Sequence, residues 1–419
     1  MEHSAQQLVD HLFRREAGKM VSFLSKILGF SQLSLAEDIV QETLAHALVH
    51  WRAGAPDNPE AWLYRVAKNK LIDHLRREKN WQERIAPGFL QQLSLENSPE
   101  TAFDQLRFDD EIADSQLRMM FACCHPAIPE EAQLILILKT LCGLSAREIA
   151  AALLSSEEAV AKRLFRAKEK IRTEHLELEP PVGPELSLRL EAVLKVVYLL
   201  FNEGYYSVSD DAMLRLDLCR EALRLSALLA GHPLSEAPKT QALAALLCFQ
   251  ASRFDARLDA QGDIVVMQDQ DRSLWDQDLI RQGYWYFQRS ASGKEVSAYH
   301  LEAAIACYHA AAADFASTNW QAIFHLYELL CQINASPLAA MNRAIALGYF
   351  RGPAAGIEAL LNLENLGKNH IYQVALGDFY AQNKQIRQAE AAYRIAEKLV
   401  SRSAERRLIG KKLGGLEAR

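Results

Sequence analysis

The chain has 419 residues, half of them hydrophobic and 24% charged, a balance that excludes a disordered or fibrous protein and fits about two to four globular domains. No uninterrupted apolar run reaches the ~18 residues of a membrane span. The start MEHSAQQLVDHLFRRE lacks a signal peptide's apolar core, so a cytoplasmic protein with no membrane partner is expected. The net charge of −6 suits DNA binding only once it is mapped: basic residues cluster in 65–84 and 162–172, acidic ones between them, and phosphate affinity comes from local patches.

Residues 8–80 read as one compact helical unit. Leu8, Leu12, Met20, Phe23, Leu24, Ile27 and Leu28 supply apolar faces before a stop at Gly29. A second helix starts near Ser34 and runs to Trp51, and RAGAPDNPE, with Gly54, Pro56 and Pro59, is a loop. In the third helix, AWLYRVAKNKLIDHLRREKN, Trp62, Val66, Leu71, Ile72 and Leu75 form the apolar side. Arg65, Lys68, Lys70, Arg76, Arg77 and Lys79 lie largely opposite. Aromatics interleaved with cations suit unstacked bases and their phosphates; a solvated basic helix anchored by Trp62 fits the pattern too.

Residues 81–117 are acidic and poorly periodic, as expected of a linker. The run Cys123-Cys124-His125 and Cys142 invite a zinc reading. Adjacent cysteines do not easily share one tetrahedral ion and no second C-x-x-C exists, so buried structural thiols and no cofactor are expected. Seven scattered cysteines likewise give no disulfide framework.

The stretch LSAREIAAALLSSEEAVAKRLFRAKEKIR, residues 144–172, organises the rest. Ser145 and Glu148 make a capping box with Leu144 and Ile149 as its hydrophobic staple, and Ser155 with Glu158 repeats the signature. In the helix that follows, Val160, Leu164, Ala167 and Ile171 share one face, leaving Lys162, Arg163, Arg166, Lys168, Lys170 and Arg172. A short helix, a turn and a basic helix predict a helix-turn-helix that enters the major groove. An ordinary helical hairpin with a solvated basic face is the alternative.

After EPPVGP the pattern resumes as SLRLEAVLKVVYLLFNEGYY, whose Asn202-Glu203-Gly204 reads as a helix end with glycine at the C-cap rather than a ligand site. RLDAQGDIVVM predicts a hairpin of two short strands turning at Gly262. The Ala-rich remainder has Leu376, Gly377, Tyr380, Ala389, Tyr393 and Ala396 at tetratricopeptide spacing, with a more degenerate unit marked by Ser336-Pro337 and Gly352-Pro353. Trp285 and Trp320 are read as core residues.

AEDIVQET followed by AWLYRVAKNKLIDHLRR resembles region 2 of extracytoplasmic-function sigma factors, and residues 144–172 resemble their region 4. The whole chain resembles the subgroup with a C-terminal tetratricopeptide-like extension. The resemblance implies an all-α, non-enzymatic sigma factor that binds core RNA polymerase, through its β′ clamp helices and β flap, and promoter DNA. It implies core contact by Asp38, Gln41 and Glu42, and −10 contact by Trp62, Arg65, Asn69, Lys70, Asp73, Arg76 and Arg77. It implies −35 contact by Lys162, Arg163, Arg166 and Lys170.

The expected domains are 8–80 (region 2), 81–117 (linker), 118–178 (region 4), 183–290 (helical extension with a hairpin near 256–267) and 291–419 (repeats). The extension is expected to contact protein or peptide and not DNA. No Gly-rich phosphate loop, zinc signature or G-x-S-x-G elbow is present. The rival reading is a free-standing helix-turn-helix regulator whose repeats sense a peptide or small molecule.

Overall fold

The computed structural model describes residues 16–51, 54–77, 115–153, 155–176, 181, 183–205, 215–400 and 402–417. The expected linker lies almost wholly outside the described residues. Among those described, every regular element is a helix, and the chain divides into two compact units, 1–229 and 230–419.

In the first unit, helix α1 (16–28) ends at Gly29, whose φ of 87° suits a residue without a side chain. Helices α2 (Leu33–His50) and α3 (Pro59–Arg77) pack as a pair. Asn58 starts α3 by accepting the Ala61 N–H at 3.0 Å. The α3 core differs from expectation: Leu63, Tyr64, Ala67 and Leu71 are buried, whereas Trp62, Val66 and Ile72 are half-buried. The buried face is rotated by one residue because α3 packs through the side facing α2.

Helices α4 (115–123), α5 (Glu130–Thr140), α6 (Ala146–Ala152) and α7 (Glu157–Thr173) follow. Ser145 Oγ accepts the Glu148 N–H at 3.2 Å while Glu148 accepts the Ser145 N–H at 2.6 Å, and both staple residues are fully buried. The second cap is shifted by one residue: Ser156, not Ser155, accepts the Ala159 N–H. Ser155 Oγ instead accepts from Arg163.

Helix α8 (Pro184–Tyr205) packs on α5 and α6, and α9 is Leu216–Gly231. Gly204 is not a C-cap. It lies inside α8, where a Cβ would stand 2.7 Å from Cys219 Sγ and 2.9 Å from the Arg215 carbonyl, so its bare Cα lets the next segment approach.

The second unit begins with α10 (Pro238–Ala251), α11 (Gln277–Ser290) and three helical hairpins: α12 (Ala298–Ala311) with α13 (Trp320–Ile333), α14 (Pro337–Arg351) with α15 (Pro353–Leu361), and α16 (His370–Gln382) with α17 (Ile386–Leu399). Helix α18 (Ser403–Glu417) closes the series. Each helix packs on its neighbour in sequence, and α14 also touches α16. In the last hairpin a Cβ on Gly377 would stand 2.4 Å from the Tyr393 ring, and Ala389 and Ala396 are fully buried. Small residues on one helix thus admit an aromatic ring from the other.

The expected strands shrink to a single antiparallel bridge, Leu258 with Ile264, around Gly262 at φ 77°. Trp285 is not core: it is 53% exposed, with the Arg289 guanidinium 4.6 Å above its ring. Trp320 is half-buried and stacks on Tyr349 at 4.6 Å.

Candidate nucleic-acid interface

Helix α7 is held by one face. Val160, Ala167 and Ile171 are buried at i, i+7 and i+11, with Leu164 half-buried among them. The opposite face carries Glu158, Ala161, Lys162, Phe165, Arg166 and Glu169. Among the described residues, Lys162 and Arg166 have no hydrogen-bond or ion-pair partner, and Phe165 between them is 70% exposed. The sequence reading passed over Phe165; its signal was an aromatic off the apolar stripe.

Arg163 points elsewhere, 3.0 Å from Glu131 of α5 and 3.0 Å from Ser155 Oγ, and Lys170 pairs with Glu174 at 3.6 Å. These two brace the helix and its neighbours. Lys168 pairs with Glu37 of α2, and a Cβ on Gly18 would overlap the Leu141 carbonyl, so α1 and α2 are docked against the helix-turn-helix.

On α2 the residues Asp38, Gln41 and Glu42 are all exposed at i, i+3 and i+4, forming one polar stripe. On α3, Arg65, Asn69 and Asp73 are exposed at intervals of four, with Lys70 half-buried and bonded to Glu42 at 3.0 Å. The side chains of Arg76 and Arg77 lie outside the described residues. Trp62 belongs to a column of rings unforeseen in the sequence: His46 stacks 5.6 Å from Trp62 and 3.8 Å from the exposed His50. Burial and the neighbouring charges of His50 and Lys70 lower the His46 pKa, which favours the neutral ring and so the stack.

The Cys-Cys-His run closes α4 and opens the turn to α5, and it is locked from several sides. Gln133 donates to the carbonyls of His125 at 3.0 Å and Ile128 at 2.8 Å, His125 Nδ1 accepts the Ala127 N–H at 3.1 Å, and Arg189 of α8 donates to the Phe121 carbonyl at 3.2 Å. Burial pushes the Cys124 thiol up to about 12 and also raises Cys123 and Cys142, which keeps all three protonated and poor ligands. Among the described residues no group of three potential ligands converges. None of their helices is long and apolar enough to cross a membrane.

Residues 12–81 match the family described as "Sigma-70 region 2", and residues 118–171 match "Sigma-70, region 4". The ECF RNA polymerase sigma factor SigE of Mycolicibacterium smegmatis is 24% identical over 172 residues, 41% of this chain and 63% of that protein. SigM of Bacillus subtilis, also an ECF RNA polymerase sigma factor, is 30% identical over 71 residues, 17% of this chain and 42% of that one. The chain belongs to the extracytoplasmic-function sigma-70 family.

For this sigma factor the likeness extends beyond the two regions. An uncharacterized protein of Rhizobium meliloti (strain 1021) is 35% identical over 392 residues, 93% of this chain and 92% of that one. Residues 189–291 match a "Family of unknown function (DUF6596)", which begins at Arg189, the residue that ties α8 to α4. No solved structure matches the chain. The comparisons give the extension no tetratricopeptide match, and its α-helical nature comes from the structure.

Proposed function

We propose that this sigma factor docks on core RNA polymerase through Asp38, Gln41 and Glu42 and lays the outward face of α7 into the −35 duplex. In this reading α3 holds the separated −10 strand. Lys162, Phe165 and Arg166 contact the major groove, the cations anchoring phosphate or guanine and the ring meeting a thymine methyl. Arg163 and Lys170 act indirectly, by positioning the helix. Trp62, Arg65, Asn69, Lys70 and Asp73, with Arg76 and Arg77, serve the unstacked strand, which needs ring stacking and phosphate contacts but no nucleophile or metal.

The observation that carries this reading is the two-faced α7: one side buried, the other presenting two unpartnered cations and an exposed aromatic. The stripe on α2 adds to it, because all three residues are exposed and, among the described residues, only Glu42 is engaged within the chain, by Lys70 of α3. Work on promoter DNA beside core polymerase places the protein in the cytoplasm. The C-terminal helices, tetratricopeptide-like in their spacing, contact protein and regulate the sigma half.

Transcription reconstituted with core polymerase tests the whole. D38A/E42A should lose core binding in a calorimetric titration while keeping wild-type helical content. Wild-type affinity in that variant refutes the docking assignment, and promoter opening without core polymerase would support a free-standing regulator instead.

A further inference from the structure

In the second unit a segment without regular helices beyond three 3-10 turns, residues 252–276, leaves the end of α10 and returns to begin α11. Its course is fixed at both ends. At the hairpin tip, Asp263 is held by Arg407 and, at 2.8 Å, by Lys411, both on α18; Asp259 lies 3.8 Å from the same lysine. At the other end Arg272 donates to the His309 carbonyl of α12 at 2.6 Å and lies 3.9 Å over the buried Trp275 ring, with Arg253 at 5.3 Å. Between them Gln270 links Arg253 at 3.2 Å to the Val265 carbonyl at 3.0 Å.

The touched helices, α12 and α18, are the first helix of the first hairpin and the helix that closes the series. The nine residue-to-residue steps from Asp263 to Arg272 reach at most about 30 Å. Three helix-to-helix steps of about 8–10 Å cover a similar distance. The segment therefore ties α12 to α18 as a strap across the face between them.

We propose that this face is a groove for an extended acidic segment of a partner protein, and that the strap fills it in cis until such a segment displaces it. The strap itself shows the chemistry that fits: carboxylates at the α18 end, met by two cations that are 50% and 61% exposed and hence reachable by an incoming chain. Hydrogen bonds from Lys411 and Arg407 lower the pKa of Asp263, so these two cations favour a charged carboxylate at this end. Tethering gives the strap an effective concentration of about millimolar, which excludes weak or uncharged competitors and admits one of higher affinity. The proposal deepens the protein-contact reading of the C-terminal half and does not depend on the promoter assignments.

The test uses the full chain and, as probe, a fluorescein-labelled peptide of residues 257–276. D259N/D263N should bind it at least about ten-fold tighter than wild type, with affinity falling as salt rises. Adding R407E/K411E should abolish the gain. Equal binding by wild type and D259N/D263N, or a gain that survives R407E/K411E, overturns the groove. If D259N/D263N fails to fold, a site-specific protease site inserted at the exposed tip between Gln261 and Gly262 replaces it. The cut chain should then capture the peptide and the uncut one should not; equal capture overturns the proposal. Transcription by R407E/K411E is measured beside it, so that loss of the groove and loss of a regulatory role are read separately.

Discussion

Replacing Arg166 by alanine is expected to weaken binding to the −35 duplex, whereas replacing Arg163 is expected to weaken the fold around the helix. Arg166 is exposed and unpartnered, so its whole hydrogen-bonding capacity is open to DNA. A bidentate contact to guanine is worth about 1–3 kcal/mol, or about 5–150-fold in affinity, and is lost only on the cognate sequence. A phosphate contact would instead lower affinity on every sequence and reduce the slope of log K against log salt by about 0.9.

Arg163 is committed to Glu131 and Ser155. Its ion pair is about a third to a half exposed and is therefore worth no more than about 0.2–1 kcal/mol after screening. The hydrogen bond to Ser155 adds about 1 kcal/mol. R163A should thus shift the urea midpoint modestly and show coupling to E131A in a double-mutant cycle, and R166A should do neither. The assay is fluorescence anisotropy of a labelled −35 duplex over a salt series, paired with urea melts. Wild-type affinity and salt slope in R166A would refute the outward-face reading. So would an R163A that loses DNA affinity as severely while melting and coupling like wild type.

Gly377→Ala should destabilise the C-terminal unit by about 1–3 kcal/mol, because its Cβ would intrude on the Tyr393 ring; an unchanged urea midpoint would refute that packing. His309 has its pKa pushed down to about 3 by burial and by the charges of Arg253 and Arg272. The folded form then binds fewer protons than the unfolded one between about pH 3 and 6.5, so stability rises with pH across that window and is lost as pH falls through it. His309→Gln should flatten the dependence of the unfolding midpoint between pH 6.5 and 4, and an unchanged slope would refute the assignment. Glu37→Lys should loosen the contact between α2 and α7 and be rescued by adding Lys168→Glu; hydrogen exchange in α7 that ignores both changes would show the pair to be incidental.

The helices, the capping box at Ser145, and the buried stripe of α7 were written in the sequence, because each depends on contacts within a few residues. Local chemistry also placed Asp38, Gln41 and Glu42 on one exposed stripe, and the order of the two motifs carried the family resemblance. The partners of the cations were not legible. Arg163 and Arg166 are three residues apart with the same chemistry, and only the position of Glu131, brought up by α5, distinguishes a brace from a free contact. The same holds for Gly204, whose role depends on Cys219 arriving from the next helix, and for Trp285, which pattern alone placed in the core. The strap is the furthest case: Asp263 meets Arg407 across 144 residues, a separation over which no periodicity carries information. Sequence determined what each segment is, since helix formation and capping are local. Tertiary structure decided what each charge faces, since that depends on chain closure between distant segments.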